Sequence, residues 1–105
     1  MKLIISPNQF WLEVINMVQI DKWFEETDTD FILFSQTICQ YCSKAKRLLE
    51  SKSLSYTEVN LDEYPGLRTA VVKETRHRTV PVIFDLRGDM PLFIGGSDNL
   101  MQFIK

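Results

Sequence analysis

Cys39 and Cys42 are the only two cysteines in a chain of 105 residues, and they stand three apart as Cys39-Gln40-Tyr41-Cys42. A C-x-x-C pair can be a redox couple, half of a metal site, or two small apolar residues that happen to be close. Zinc sites normally take four ligands, and beyond the two cysteines the chain offers one histidine, His77, and no second C-x-x-C. Thiol–disulfide exchange asks for less: one thiolate that attacks near neutral pH, and a second thiol that resolves the mixed disulfide. A free cysteine with a pKa near 8.5 is mostly protonated at that pH, so its surroundings must lower the value. The start of a helix does this, because unpaired N–H groups and the positive end of the dipole favour an anion. If a helix begins at the pair, Cys39 is the nucleophile and Cys42, one turn on, is the resolving thiol.

The flanking residues predict that helix. Phe31-Ile32-Leu33-Phe34 is a short apolar run without alternation, which suits a strand buried on both faces. After Cys39, residues Cys42, Ala45, Leu48 and Leu49 share one helical face while Lys44, Lys46 and Arg47 project away. Tyr56 to Leu61 alternates and reads as a second strand. Pro65 opens a further helix with Leu67, Ala70 and Val71 inward, ending near Thr75. Val82-Ile83-Phe84 is a third strand, Arg87-Gly88-Asp89 a turn, and Pro91 to Ile94 a fourth strand antiparallel to the third. Gly95-Gly96 breaks into a last helix from Ser97 or Asp98. Towards the N-terminus, Ser6 can cap a helix with Pro7 at its first position, and Trp11, Val14, Ile15, Val18, Ile20, Trp23 and Phe24 keep helical spacing up to the polar stretch Glu25 to Asp30. One helix or two fits this pattern, because Asp21 can restart it.

The expected order is α-β-α-β-α-β-β-α, with a right-handed parallel crossover between the first two strands and helices on both faces of the sheet. A C-x-x-C just after the first strand of a β-α-β unit is a redox signature. The length fits one domain over residues 1–105, with 1–30 as an N-terminal helical segment and 31–105 as the redox core. A net charge of −2 argues against nucleic acid as a main partner. No apolar run approaches the roughly 20 residues that cross a bilayer, so no membrane association is expected. The first residues are too short in their apolar part for a signal peptide, so the cytoplasm is the expected location, where a structural disulfide would be unusual.

Three separated motifs resemble the glutaredoxin family, a branch of the thioredoxin fold. Cys39-Gln40-Tyr41-Cys42 is similar to that family's C-P-Y-C, Thr79-Val80-Pro81 matches its T-V-P, and Gly95-Gly96-Ser97-Asp98-Asn99-Leu100 is similar to its G-G-x-D-D-L run. The likeness spans roughly residues 18–105. It implies an α/β thioredoxin-like fold with a four-stranded mixed sheet flanked by helices, here with an extra N-terminal helical segment and a short last helix. It also implies a glutathione-dependent thiol–disulfide oxidoreductase with glutathione as co-substrate and no metal. Cys39 and Cys42 are then catalytic, while Tyr41, His77, Thr79, Val80, Pro81, Gly96, Ser97 and Asp98 are the glutathione-binding residues. Pro81 is expected in the cis form, with Val80 pairing to substrate backbone, and Ser97-Asp98 at a helix start suits the γ-glutamyl end. Disulfide-containing proteins, a ribonucleotide reductase among them, are the implied clients of a monomer.

Two positions depart from the family pattern. Gln40 replaces the proline after the first cysteine. Gln36 stands where a lysine is common, so Arg76, His77 and Arg78 are the residues that could compensate for it beside a carboxylate. The alternatives are a glutaredoxin that holds a [2Fe–2S] cluster between two subunits, and a glutathione-independent redoxin served by a thioredoxin reductase.

Overall fold

The computed structural model describes residues 20–104. Residues 20–26 are helical (α1), followed by β1 (Phe31–Ser35), α2 (Gln40–Ser51), β2 (Tyr56–Asn60), a 3₁₀ turn (Leu61–Glu63), α3 (Leu67–Thr75), β3 (Val82–Asp85), β4 (Leu92–Gly95) and α4 (Ser97–Ile104). The expected helix around Ser6 to Val18, including Trp11, lies outside the described residues. Trp23 is within them, half-buried, and meets Tyr64 edge-to-face at 5.0 Å between ring centres.

The sheet runs β2-β1-β3-β4, with β1 and β2 parallel and both β1–β3 and β3–β4 antiparallel. The run in β1 lacks alternation because each face of this central strand is covered. Ile32 and Phe34 pack with Ile20, Leu67, Ala70, Val71, Val82 and Phe84 on the face of α1 and α3. Phe31 and Leu33 pack with Ala45, Leu49, Ile83 and Leu100 on the face of α2 and α4. With both faces apolar, the register of β1 is fixed only with the help of its neighbours. Ser35, its last residue, pairs with Asn60 at the end of β2.

Several boundaries shift for local reasons. The second strand stops at Asn60, whose side chain accepts the Asp62 N–H at 2.9 Å and caps the 3₁₀ turn, so Leu61 leaves the strand. Helix α3 begins at Leu67 and not at Pro65, because Gly66 holds a left-handed φ of 89°. The fourth strand is displaced by one residue, to Leu92–Gly95, and α4 starts at Ser97. Leu48 is half-buried at the margin of the α2 face, whose buried residues are Cys42, Ala45 and Leu49.

Candidate active site

The chain leaves the sheet at Ser35, crosses Gln36, Thr37 and Ile38, and enters α2 at Gln40 with Cys39 as N-cap. Cys39 is extended (φ −158°, ψ 101°), and its sulfur accepts the Cys42 N–H at 3.0 Å. Its carbonyl accepts the Ser43 N–H at 3.2 Å. An amide N–H and the positive helix end therefore both act on the Cys39 sulfur. No acidic residue stands in the first turn of α2 to oppose them.

The two sulfurs are joined as a disulfide, with the Cα atoms 5.2 Å apart. Their exposure separates the roles. Cys39 is half-buried and open to the cleft, whereas Cys42 is 2% exposed among Phe31, Leu33 and Ala45. Burial in apolar surroundings disfavours a thiolate, so the outer sulfur is the one that can attack.

Cys39 opens onto a cleft of about 740 Å³, within the range of small-molecule sites. Its walls come from four places: Gln36, Ile38, Cys39, Gln40 and Tyr41 around the start of α2; Arg68 from α3; His77, Arg78, Thr79, Val80 and Pro81 ahead of β3; and Gly96, Ser97, Asp98 and Asn99 at the start of α4. The catalytic and glutathione-binding residues expected from the sequence thus line one cavity, except Cys42, which is bonded to Cys39. The Val80–Pro81 peptide bond is cis. His77 is held from two sides: its N–H donates to Thr75 Oγ1 at 3.0 Å, its Nε2 lies 3.2 Å from Thr79 Oγ1, and its ring meets Phe93 edge-on.

Of the three residues considered as substitutes for a lysine at position 36, His77 and Arg78 line the cleft and Arg76 does not. Arg76 is the left-handed C-cap of α3, with φ 62° and its N–H on the Val72 carbonyl. The cation nearest Gln36 is Arg68, whose Nη2 donates to Gln36 Oε1 at 3.2 Å and to Asp62 Oδ1 at 3.3 Å. Sequence alone gave no sign of it, because α3 must first be laid beside the loop that precedes Cys39. Asn99 was missed too. Its Oδ1 accepts the Gly96 N–H at 2.9 Å, closing the turn into α4. The first N–H groups of α4 have no carbonyl partner within the helix, and the residues that carry them, Ser97, Asp98 and Asn99, line the cleft.

Below the loop, Glu58 accepts the Ser35 hydroxyl at 2.7 Å and Lys46 Nζ at 3.0 Å. Burial pushes the Glu58 carboxyl up, but these two donors outweigh it and hold it below its ordinary value. Asp62 is likewise held low, first by the Thr37 backbone N–H and then with help from Arg68.

A family model described as Glutaredoxin matches residues 31–89. Glutaredoxin-C4, chloroplastic, of Oryza sativa subsp. japonica is 40% identical over 77 residues, 70% of this chain and 55% of that protein. Glutaredoxin-2, mitochondrial, of Homo sapiens is 40% identical over 82 residues, 75% of this chain and 48% of that one. The chain therefore spans about half the length of these two relatives. Glutaredoxin 3 of Escherichia coli (strain K12) is 36% identical over 69 residues, 65% of this chain and 77% of that protein. Among solved structures, the buckwheat glutaredoxin–glutathione complex superposes with a TM-score of 0.73 at 26% identity, covering 87% of this chain and 80% of that one. The holo form of glutaredoxin C1 from Populus tremula x tremuloides gives 0.74 at 27%, covering 88% and 80%. Motifs and topology agree with these matches, and the chain belongs to the glutaredoxin family.

Proposed function

We propose that this protein is a glutathione-dependent thiol–disulfide oxidoreductase that reduces protein disulfides and glutathione mixed disulfides. One observation carries the reading. A half-buried sulfur at a helix N-terminus shares one cleft with Arg68, Arg78 and the start of α4 with Asp98. Glutathione offers a thiol, two carboxylates and an ammonium, which suit a sulfur, cations and helix N–H groups, and one acid. The buckwheat relative, whose complex with glutathione has a similar fold, supports the same ligand.

In the proposed cycle the Cys39 thiolate attacks the glutathionyl sulfur of a mixed disulfide. The substrate S–S bond breaks, and the client sulfur leaves as a thiolate that takes a proton. Cys39 now carries glutathione. A second glutathione thiolate attacks that glutathionyl sulfur, giving oxidised glutathione and freeing Cys39. With a protein disulfide as substrate, Cys42 attacks the Cys39 sulfur of the mixed disulfide, releases the reduced client, and leaves the Cys39–Cys42 bond for two glutathiones to reduce. Tyr41, 59% exposed beside Cys39, supplies a ring against which bound glutathione packs. Val80 and the cis Pro81 line the same cleft, where the substrate backbone would pair. Clients such as a ribonucleotide reductase, action as a monomer, and placement in the cytoplasm belong to the same proposal.

The test is a coupled assay with glutathione, glutathione reductase and NADPH. Cys39→Ser abolishes reduction of a small glutathione mixed disulfide. Cys42→Ser keeps much of that activity and loses reduction of protein disulfides. Full activity in Cys39→Ser, or turnover by a thioredoxin reductase but not by glutathione, refutes the reading.

A further inference from the structure

We infer that Asp62 is a positioning residue for this site: one carboxylate holds both the loop that presents Cys39 and the Arg68 guanidinium in the cleft. The inference rests on the proposed glutathione-dependent reaction. Asp62 Oδ2 accepts the Thr37 N–H at 2.9 Å, and its Oδ1 accepts Arg68 Nη2 at 3.3 Å. The same Nη2 reaches Gln36 Oε1 at 3.2 Å, and Gln36 Nε2 in turn donates to the Ile38 carbonyl at 3.2 Å. Asn60 secures the arrangement from behind, accepting the Asp62 N–H at 2.9 Å and donating to Thr37 Oγ1 at 3.2 Å. Each of the three residues between β1 and Cys39 is therefore held by a side chain, and the bonds close a ring through Asp62 and Arg68.

The Arg68 and Asp62 side chains are 41% and 47% exposed. An ion pair so open to water adds little to global stability. What it fixes is orientation. A free arginine samples many rotamers, and the pair selects one in which the guanidinium faces the cleft beside Gln36. A substrate carboxylate then meets a placed cation and not a mobile one, at a fixed distance from the sulfur it must deliver.

Asp62→Asn separates these roles. Its amide oxygen can still accept the Thr37 N–H, which leaves the amide NH₂ facing Arg68, donor against donor. The mixed disulfide of glutathione and cysteamine is the probe in the coupled assay, with wild type, Asp62→Asn, Arg68→Ala and the double variant. Asp62→Asn is expected to raise KM roughly fivefold with kcat within about twofold, as loss of binding orientation does. In the Arg68→Ala background the same change should add less than about 1.5-fold, because the partner it orients is gone. An unchanged KM in Asp62→Asn overturns the inference, as does the same multiple in both backgrounds. A lowered unfolding midpoint with KM unchanged also overturns it and makes Asp62 purely structural. Wild-type protein without glutathione turnover removes the underlying functional reading instead, an outcome visible before any variant is compared.

Discussion

Gly95 and Gly96 look equivalent in the sequence, yet the structure gives them different tasks, and replacing each by alanine separates them. Gly95 holds φ +119°, in the region side chains avoid. A Cβ there would lie 2.5 Å from Asn99 Oδ1 and 3.0 Å from Asn99 Cβ. Asn99 would have to rotate away and give up the Gly96 N–H that it accepts at 2.9 Å. The backbone conformation costs a non-glycine residue ~1–3 kcal/mol. The lost hydrogen bond adds ~0.5–1.5 kcal/mol, so Gly95→Ala should cost ~1.5–4.5 kcal/mol in all. At ~4 °C or more per kcal/mol for a domain of this size, the unfolding midpoint should drop by at least ~6 °C. At Gly96 the nearest atom to an added Cβ is His77 Nε2 at 3.6 Å, an ordinary contact. Gly96→Ala should cost about 1 kcal/mol or less, the scale of an altered residue just before a helix. Thermal unfolding followed by circular dichroism measures both. In an Asn99→Ala background the Gly95→Ala cost should shrink by the hydrogen-bond share, because the Gly96 N–H has already lost its acceptor and only the contact with the Cβ of residue 99 remains. Equal midpoints for the two glycine variants would refute the assignment of the steric constraint to Gly95.

Two further outcomes follow from packing and charge. Asp85, with a side chain only 8% exposed, accepts three bonds from Arg87: the backbone N–H at 2.9 Å, Nε at 3.0 Å and Nη2 at 2.9 Å. The Arg87 side chain, with help from its backbone N–H, holds the Asp85 carboxyl below its ordinary value. Stability from this group is therefore present above the unfolded Asp value near ~3.9 and lost as pH falls through the lower native value. Asp85→Asn should flatten the acid limb of a stability–pH curve and cost ~1–3 kcal/mol at neutral pH, measured by denaturant titration. Leu49→Ala empties a fully buried position under α2 and should cost ~2–5 kcal/mol in the same titration.

The parts of the fold legible in the sequence were those set by local pattern. The unbroken apolar run of β1 marked a strand covered on both sides, and the spacing of Cys42, Ala45 and Leu49 marked the face that α2 buries. The position of Cys39 before that helix marked the sulfur that caps α2 and opens onto the cleft. Features set by tertiary approach were not legible. Arg68 reaches Gln36 across 32 positions of sequence, and no spacing rule links them. Arg76 was a fair candidate by proximity to His77, but its left-handed backbone caps α3 and it takes no part in lining the cleft. The start of α3 was misplaced because proline at a helix start is a strong signal, and Gly66 overrides it with a conformation no composition reveals.

Ionisation of Cys39 at the start of α2 is what the proposed reaction needs first, and the most direct measurement of it is the pH dependence of iodoacetamide alkylation of the reduced protein. The Cys42→Ser variant, measured beside wild type, isolates the outer thiol. A midpoint below pH ~7 is expected, within the range helix N-termini impose on cysteine. A midpoint near ~8.5, that of free cysteine, would contradict it.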